Sequence, residues 1–333
     1  MERKRSKTHE RHVRKCLAHA ILASGLLASC TGLGGNRMAA RPFVKWVGGK
    51  GQLIGQLSPL LPKDLSERAA FVYVEPFVGG GAMLFYMLSH YPNIERAVAN
   101  DLNVDLVTTY KVVQNKPEQL ITTLAEMQRT FYARTEEPER RAYYLDLRER
   151  YNSHPSDDVE IAALFIFLNR TCFNGLYRVN AKGQYNVPFG KAVRPLICDA
   201  DNLRAASALL QKVEFLCGDF ESVGRHVQGR AFWYFDPPYR PLTPTASFTA
   251  YSKDGFGDNQ QRRLAAFCRR LDTAGHQWLL SNSDPHNVDP EDTFFEDIFT
   301  GFKIRRVSAA RMVNSKADGR GKITELAIRN YGE

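Results

Sequence analysis

The sequence predicts an α/β protein built on a mixed, mainly parallel, doubly wound sheet. Seven short apolar runs have strand character, and helical periodicity separates most of them. A glycine-rich turn and a proline-rich turn directly follow two of these runs, as expected at the carboxyl edge of such a sheet. The last two runs are joined by a polar loop without helical pattern, so we expect an antiparallel hairpin. The predicted strands span residues 71–75, 97–99, 213–217, 231–235, 277–281, 302–307 and 324–330.

Length and charge limit the domain organisation. The 333 residues suffice for one large domain or two smaller ones with ample core. The formal charge of +9 favours a polyanionic partner, but residues 1–37 hold eight Lys/Arg against two Asp/Glu and so carry +6 of it. Local basic clusters must therefore support any inference of nucleic-acid binding.

Cysteine usage and hydropathy favour a reducing compartment. The six cysteines form no C-x-x-C pair and the eight histidines do not cluster near them, so we expect neither a metal site nor a disulfide framework. No apolar run reaches the ~18–20 residues that span a bilayer.

The N-terminus imitates a lipoprotein-type signal ending at Cys30, but His19 and Ser24 interrupt its apolar segment. We therefore interpret residues 1–37 as a basic extension, disordered or arising from a mis-assigned start before Met38.

The pattern changes from about residue 105 to residue 200. Long amphipathic helical patterns lead into an apolar stretch at 161–169 and then an irregular one at 170–180. This segment is typical of an inserted domain, because strand patterns resume only after it. We divide the chain into the extension (1–37), a first part of the α/β domain (38–104), a helical insertion (105–200) and a second part of the α/β domain (201–333).

The most informative motif is Asp236-Pro237-Pro238-Tyr239, directly after the apolar run 231–235. Two prolines end a strand in a sharp turn. The turn leaves a carboxylate, a carbonyl and an aromatic ring at the edge where open α/β sheets bind ligands. Two acceptors suit an exocyclic amino group, and the ring can stack on a flat base. A strand-end turn with a surface acid is the alternative, disfavoured because four such residues follow five apolar ones.

A second ligand site is indicated by Gly79, Gly80 and Gly81, between a strand and a helix. Such a turn lets backbone approach a ligand that the helix N–H groups face. Asp101 ends the next strand, where a carboxylate can accept both hydroxyls of a ribose. Leu84 stands where a dinucleotide fingerprint needs a small residue, which disfavours NAD. Alone, these features are equally a tight turn and a helix cap; together they predict a nucleoside site.

These motifs, in this order, resemble those of S-adenosylmethionine-dependent amino-methyltransferases. The stretches 43–50 and 168–190 are more narrowly similar to the Dam-type DNA adenine methyltransferases, which include restriction-system modification enzymes acting at GATC. The resemblance runs from about Arg41 to Tyr331. It implies a Rossmann-like catalytic domain with an inserted, mainly helical DNA-recognition domain. It also implies S-adenosyl-L-methionine as cofactor, no metal, and double-stranded DNA as substrate.

The resemblance also assigns roles to individual residues. Lys50 would lie near the methionine carboxylate of the cofactor, although Lys50 is equally readable as a solvated lysine and Trp46 as a core anchor. The tetrad would receive the target adenine after it leaves the duplex. The cofactor set is Trp46, Lys50, Glu75, Phe77, Gly79, Gly81, Asp101, Asp219, Phe220 and Asp236, and the catalytic set is Asp236, Pro237, Pro238 and Tyr239.

The expected chemistry needs no dedicated base. An adenine amino group is a poor nucleophile because its lone pair is delocalised into the ring. Asp236 and the Pro237 carbonyl would draw on its protons and concentrate electron density on the nitrogen. The methyl carbon must then lie in line at ~3–3.5 Å. The resemblance also favours adenine over cytosine as the substrate. Cytosine-directed relatives usually have serine at the first position of this tetrad, where this sequence has an acidic residue.

Basic and aromatic residues interleave between residues 170 and 194 and predict a DNA interface. Arginine reads a guanine edge bidentately, and an aromatic ring can wedge into the stack. The resemblance makes Arg178 a guanine reader, Lys45 a second guanine contact, and Phe173 the wedge, where relatives often carry tyrosine. A charged, solvated hairpin is the alternative. The expected DNA contacts are Lys45, Arg170, Phe173, Asn174, Leu176, Arg178, Pro188, Lys191, Asn314, Arg320 and Lys322.

Three other functions compete with this interpretation. An RNA adenine methyltransferase would use the same tetrad, but the long stretch at 170–194 matches the DNA family. A non-catalytic DNA-binding regulator is disfavoured by the intact tetrad and glycine turn, and a nicotinamide dehydrogenase by Leu84. We expect a cytoplasmic, nucleoid-associated monomer, and the sequence leaves open whether a restriction endonuclease acts on the same site.

Overall fold

The computed structural model describes residues 40–46, 48–241, 256–309 and 323–332. The predicted extension at 1–37 lies outside these residues, as do the predicted DNA contacts Asn314, Arg320 and Lys322.

A mixed sheet of seven strands lies at the centre of the fold, in the order β3-β2-β1-β4-β5-β7-β6. The first five strands in sequence pair in parallel, and β7 runs antiparallel between β5 and β6. The predicted C-terminal hairpin is therefore confirmed, and the mixed Rossmann-like sheet with it. The strands are β1 (Phe71–Glu75), β2 (Ile94–Asp101), β3 (Val213–Cys217), β4 (Ala231–Phe235), β5 (Gln277–Ser283), β6 (Lys303–Ala309) and β7 (Ile323–Arg329).

Strand β4 explains why the tetrad emerges from the middle of the sheet. It pairs with β1 on one side and β5 on the other, and all five of its residues are buried. Phe232 and Tyr234 belong to one hydrophobic core, and Trp233 and Phe235 to a second core on the opposite face. A strand covered on both faces reads as a continuous apolar run, as this one does.

Helices cover both faces of the sheet. Residues of α2 and α3 pack in the first core, and residues of α8 and α9 in the second. In the described part of the chain the α-helices are α1 (Ile54–Leu57), α2 (Ala82–His90), α3 (Val104–Asn115), α4 (Pro117–Tyr132), α5 (Glu137–Asn152), α6 (Asp158–Thr171), α7 (Ala200–Leu210), α8 (Asp258–Thr273) and α9 (Phe294–Ile298).

Five of the described α-helices, α3 to α7, lie in sequence between β2 and β3. Helix α6 is buried along most of its length and packs against α3, α4 and α5. Helix α3 also packs against β2 and β3, so it connects the helical segment to the sheet. The division of the chain at residues 104 and 200 stays a prediction.

Candidate active site

The tetrad begins one residue beyond β4 and presents its carboxylate asymmetrically. Asp236 Oδ1 lies 2.8 Å from Lys50 Nζ and accepts a hydrogen bond of 3.2 Å from Ser281 Oγ. Among the described residues, no donor reaches Asp236 Oδ2 or the Pro237 carbonyl oxygen. One carboxylate oxygen is therefore held in place, while the other and the carbonyl accept no hydrogen bond from the described part of the chain.

Buried amides from β5 and α8 hold the backbone of this turn. Gln261 Nε2 donates to the Pro238 carbonyl (3.1 Å), and Asn282 Oδ1 accepts from the Arg240 backbone N–H (3.3 Å). Asn282 Nδ2 in turn donates to Gln261 Oε1 (3.0 Å), and neither amide is exposed to solvent. The position of the tetrad thus depends on two elements that follow it in the chain.

Lys50 contacts both the first and the last residue of the tetrad, Asp236 and Tyr239. Its side chain is only 4% exposed, and its ammonium is 4.4 Å from the centroid of the Tyr239 ring. It also donates to the Gly48 carbonyl (2.8 Å). The structure therefore places Lys50 against the Asp236 carboxylate, whereas its predicted contact with the cofactor carboxylate stays a prediction. A buried ammonium needs such a partner, because desolvation without one is costly.

Burial dominates the electrostatics of the nearby carboxylates. It raises the pKa of Asp236, and the Lys50 ammonium and the Ser281 hydroxyl act in the opposite direction. Burial raises the pKa of Glu75 well above its ordinary range, against the effect of a 2.6 Å hydrogen bond from the Tyr73 hydroxyl, while nearby Asp236 raises it further. Two acids close together in a desolvated site favour protonation of one of them.

The turn after β1 accepts only glycine at two positions. Gly79 and Gly81 have positive φ angles of 47° and 74°. A Cβ atom at Gly79 would lie 2.8 Å from the Trp46 indole, and one at Gly81 would lie 2.5 Å from the Tyr110 hydroxyl oxygen. The Tyr110 hydroxyl donates to the Gly79 carbonyl (3.0 Å), so a residue of α3 holds the turn in place. Trp46 therefore lies against the glycine turn, and its predicted contact with the cofactor stays a prediction.

Asp101 joins this turn to the end of β2. Its Oδ2 accepts from the Gly79 backbone N–H and its Oδ1 from that of Asn103, both at 3.0 Å. Burial raises its pKa, and these hydrogen bonds oppose the rise. Each carboxylate oxygen keeps a second lone pair, so the group can still accept from a vicinal diol.

The residues beside Asp101 extend the same edge. Phe220 is buried, with its ring centroid 5.3 Å from that of Phe77, which brings two predicted cofactor residues together. The Asp219 carboxylate pairs with Arg263 at 2.5 Å and accepts from the Glu221 backbone N–H (3.0 Å), so it is engaged within the protein. Leu102, directly after Asp101, is an apolar residue with 65% of its surface exposed, and none of the sequence motifs indicated it.

Asn169 connects the backbone at Lys45 to the predicted recognition loop at 173–178. Its Oδ1 accepts from the Lys45 backbone N–H (2.7 Å), and its Nδ2 donates to the carbonyls of Lys45 (2.8 Å) and Gly175 (3.1 Å). A Cβ atom at Gly175 would lie 2.5 Å from Lys45 Cδ. The exposed Lys45 side chain therefore lies directly beside the loop at 173–178.

The same loop contains four of the other predicted DNA contacts, and Pro188 lies against it. Phe173 is 50% exposed, and Asn174 has a left-handed backbone conformation with φ 55°. Arg178 is exposed, with its Nε donating to Asn186 Oδ1 (2.8 Å). Leu176 is half-buried, and Pro188 is exposed while its carbonyl accepts from the Phe173 backbone N–H (2.9 Å).

Arg170 and Lys191 have partners within the protein. Arg170 is half-buried, and its guanidinium donates to the Phe43 carbonyl (2.8 Å), so its predicted DNA contact gains no geometric support. Burial lowers the pKa of Arg170, the nearby Asp199 carboxylate opposing. Lys191 is exposed and lies 3.2 Å from Glu137 Oε1, an ion pair that solvent screens strongly.

No group of three or more His, Cys, Asp or Glu side chains among the described residues has a metal-binding arrangement. In the same part of the chain, no helix combines the length and hydropathy needed to cross a bilayer.

The mixed sheet, the glycine turn and the acceptor-rich tetrad together define a Rossmann-like methyltransferase. A family model for the D12 class N6 adenine-specific DNA methyltransferases matches residues 46–313. The chain belongs to this family and is an adenine-specific DNA methyltransferase.

Individual relatives agree with this membership. The chain is 47% identical over 297 residues to the type II methyltransferase M.MjaIII of Methanocaldococcus jannaschii, which covers 88% of this chain and 100% of the relative. It is 37% identical to the type II methyltransferase M1.LlaDCHI of Lactococcus lactis subsp. cremoris, over 89% of this chain and 98% of the relative. It is 33% identical to a DNA adenine methylase of Vibrio cholerae, over 86% of this chain and 94% of the relative.

Proposed function

We propose that the enzyme methylates the adenine N6 of GATC sites in duplex DNA, with S-adenosyl-L-methionine as the methyl donor and the target base flipped out of the helix. The observation that supports this most is the acceptor pair of the tetrad, Asp236 Oδ2 and the Pro237 carbonyl, beside the Tyr239 ring. An amino group with two protons matches two acceptors, and a flat base matches an aromatic face.

The protein's own groups would prepare the amino group for transfer. Asp236 and the Pro237 carbonyl accept its two protons and draw electron density onto the nitrogen. The Lys50 ammonium and the Ser281 hydroxyl hold Asp236 Oδ1, which orients Oδ2 towards the base and favours the ionised carboxylate. When bound, the cofactor supplies the electrophilic methyl group.

The edge beside the tetrad fits a nucleoside cofactor. The turn at Gly79 and Gly81 leaves no room for a Cβ atom and so lets a ligand approach backbone. Asp101 offers acceptor lone pairs at the position for ribose hydroxyls, and exposed Leu102 offers an apolar surface for a ring. We assign the cofactor to this edge, with Trp46 packed against the same turn.

The recognition loop supports guanine readout by Arg178. Asn186 accepts from Arg178 Nε through its Oδ1 (2.8 Å) and from Nη2 through its backbone carbonyl (3.4 Å), so Nη1 and the second N–H of Nη2 are the donors left for a partner. Two parallel N–H groups match the O6 and N7 acceptors of a guanine in the major groove. Lys45 beside the loop is the second proposed guanine contact, and exposed Phe173 the proposed wedge.

Comparison of Arg178→Ala with Lys191→Ala tests the recognition site. Loss of a bidentate guanine contact removes about 1–3 kcal/mol of discrimination at one base position, so we expect Arg178→Ala to methylate sites that differ from GATC at that guanine. Lys191→Ala should weaken binding to all sequences alike, with a shallower salt dependence. Genome-wide sequencing of methylated adenines in strains expressing each variant measures both outcomes. An unaltered site pattern with uniformly lower activity in Arg178→Ala would show that Arg178 contacts only the backbone.

We extend the proposal to the cellular setting: a monomer that acts on cytoplasmic chromosomal DNA beside a restriction endonuclease that cuts the same unmethylated site. The printed names of the relatives at 47% and 37% identity, both type II methyltransferases, support the restriction partner. Protection of DNA from that endonuclease in cells, and the mass of the protein in solution by light scattering, test the two parts.

A further inference from the structure

Glu325 lies at the start of β7 and reaches the catalytic tetrad from the antiparallel side of the sheet. Its backbone pairs with Ser283 of β5 and Val307 of β6, which places it at the same edge as the end of β4. Its half-buried carboxylate accepts a hydrogen bond from the Tyr239 hydroxyl through Oε2. Glu325 lies beyond residues 46–313, the part of the chain that the family model matches.

The hydrogen bond runs from the Tyr239 hydroxyl to Glu325 Oε2, and burial raises the pKa of both groups. Burial raises the pKa of Tyr239 well above its ordinary range, and the Asp236 and Glu325 carboxylates raise it further, so the proton stays on the phenol. Burial also raises the pKa of Glu325, against the Lys50 ammonium and the Tyr239 hydroxyl. A hydrogen bond from a neutral donor to a carboxylate is stronger and more directional than a neutral pair.

The Tyr239 ring has two contacts of different kinds. The Lys50 ammonium lies over its face at 4.4 Å from the centroid, and Glu325 holds its hydroxyl. The cation–π contact with Lys50 does not by itself fix the side-chain torsion angles of Tyr239, so the ring could still shift sideways. A hydrogen bond at the para position fixes the far end of the side chain, and with it the plane that a base must meet.

We propose that Glu325 is a positioning residue for methyl transfer, which holds the Tyr239 ring by its hydroxyl in the orientation that receives the target adenine. The proposal rests on the proposed role of Tyr239 at the target base. It assigns to β7 a part in catalysis that none of the sequence motifs indicated.

Four variants test it: Glu325→Ala, Glu325→Gln, Tyr239→Phe and the double variant Tyr239→Phe/Glu325→Ala. Single-turnover methyl transfer to a GATC duplex is measured with enzyme in excess, together with the fluorescence of 2-aminopurine at the target adenine. Glu95→Ala, which removes an exposed glutamate from β2, is the matched control. Thermal unfolding of each variant separates a loss of rate from a loss of fold.

Because the variant loses a hydrogen bond to a charged group, we expect Glu325→Ala to transfer the methyl group about tenfold more slowly, or slower still. The 2-aminopurine fluorescence should be lower, and the DNA dissociation constant should be nearly unchanged. Glu325→Gln keeps an acceptor and should recover most of the rate. The double variant should be no slower than Tyr239→Phe alone, because both changes remove the same hydrogen bond.

Three results would overturn the proposal: a wild-type rate in Glu325→Ala, additive losses in the double variant, or a Glu325→Gln rate as low as that of Glu325→Ala. Should Glu325→Ala fail to fold, Glu325→Gln and Tyr239→Phe still decide, since an unchanged rate in Tyr239→Phe excludes a role for the hydrogen bond. Tyr239→Ala separates the two levels of inference. An active Tyr239→Ala refutes the role of Tyr239 itself, whereas an inactive one with a fully active Glu325→Ala refutes only the positioning role.

Discussion

At the scale of single residues, the chemistry depends on which oxygen of Asp236 is engaged. Lys50 and Ser281 both contact Oδ1, and they come from opposite ends of the chain. This leaves Oδ2 without a donor among the described residues and keeps a counter-charge beside a carboxylate whose pKa burial raises. The same arrangement makes Lys50 dependent on Asp236, because a buried ammonium without a partner is costly.

Asp236→Ala should abolish methyl transfer, with a loss of roughly 10²–10³-fold or more, because it removes a preorganised acceptor from the reacting amino group. DNA affinity should survive, since phosphate contacts supply most of it. Thermal stability should fall as Lys50 loses its ion pair. Radiolabelled methyl transfer and a filter-binding assay measure the first two effects, with exposed Asp146→Ala as the control. Methylation near the wild-type rate would remove Asp236 from the catalytic set.

Glu75→Gln should stabilise the protein at alkaline pH. Burial raises the pKa of Glu75 well above its ordinary value of 4.5, so the folded protein binds its proton more tightly than the unfolded chain does. The resulting stability is fully present below the ordinary pKa and is lost as the pH rises through the raised value. The glutamine keeps an acceptor for the Tyr73 hydroxyl and has no proton to lose.

The melting temperatures of both proteins between pH 5 and pH 9 measure this effect. We expect the difference in favour of Glu75→Gln to grow as the pH rises. A constant difference across the range would show that Glu75 is ionised throughout.

At the scale of elements, the turn between β1 and α2 connects three parts of the site. Its glycines allow Trp46 to pack against it, its N–H group is held by Asp101, and its carbonyl is held by Tyr110 of α3. A side chain in this turn would therefore disturb both the proposed cofactor site and the packing of α3.

Gly81→Ala should destabilise the fold and weaken cofactor binding. A Cβ atom there would lie 2.5 Å from the Tyr110 hydroxyl oxygen, on a residue with φ 74°. The left-handed backbone alone costs on the order of 1–3 kcal/mol for a non-glycine residue. Urea unfolding and calorimetry with S-adenosylmethionine measure the two losses. Gly55→Ala, at an open position of α1, should be neutral or slightly stabilising, and equal effects of the two changes would refute the steric argument.

At the scale of the whole molecule, the described site residues lie between Lys45 and Glu325. Residues 1–37 carry +6 of the +9 formal charge but none of the motifs. A chain that begins at Met38 should therefore fold and should methylate saturating GATC duplex at the rate of the full chain. Its non-specific DNA binding should become less salt-dependent if the deleted basic residues meet phosphates.

Single-turnover rates of the two chains, with binding measured across a salt series, check this expectation. A shortened protein that is folded but inactive would place a catalytic or recognition function before residue 38. Lipidation of Cys30, detected by mass spectrometry in a membrane fraction, would instead support the secretory interpretation of the N-terminus.

Features that depend on short local patterns could be predicted from the residues alone. Buried strands between helices give continuous apolar runs, so β1, β3 and β4 were predicted at their observed bounds. The glycine turn and the tetrad were found because backbone chemistry at a strand end restricts residue types within a few positions. Family membership followed from the same short motifs, taken in order.

Contacts between groups far apart in sequence became known from the folded structure. Lys50 against Asp236, Asn282 and Gln261 under the tetrad, and Glu325 on the Tyr239 hydroxyl each join residues far apart in sequence. The placement of β7 between β5 and β6 is what brings Glu325 to the edge of β4, and a hairpin pattern alone does not specify which of its strands pairs with the sheet. Such contacts follow from strand order and packing, which depend on the free energy of the whole fold, and no short window of residues carries that information.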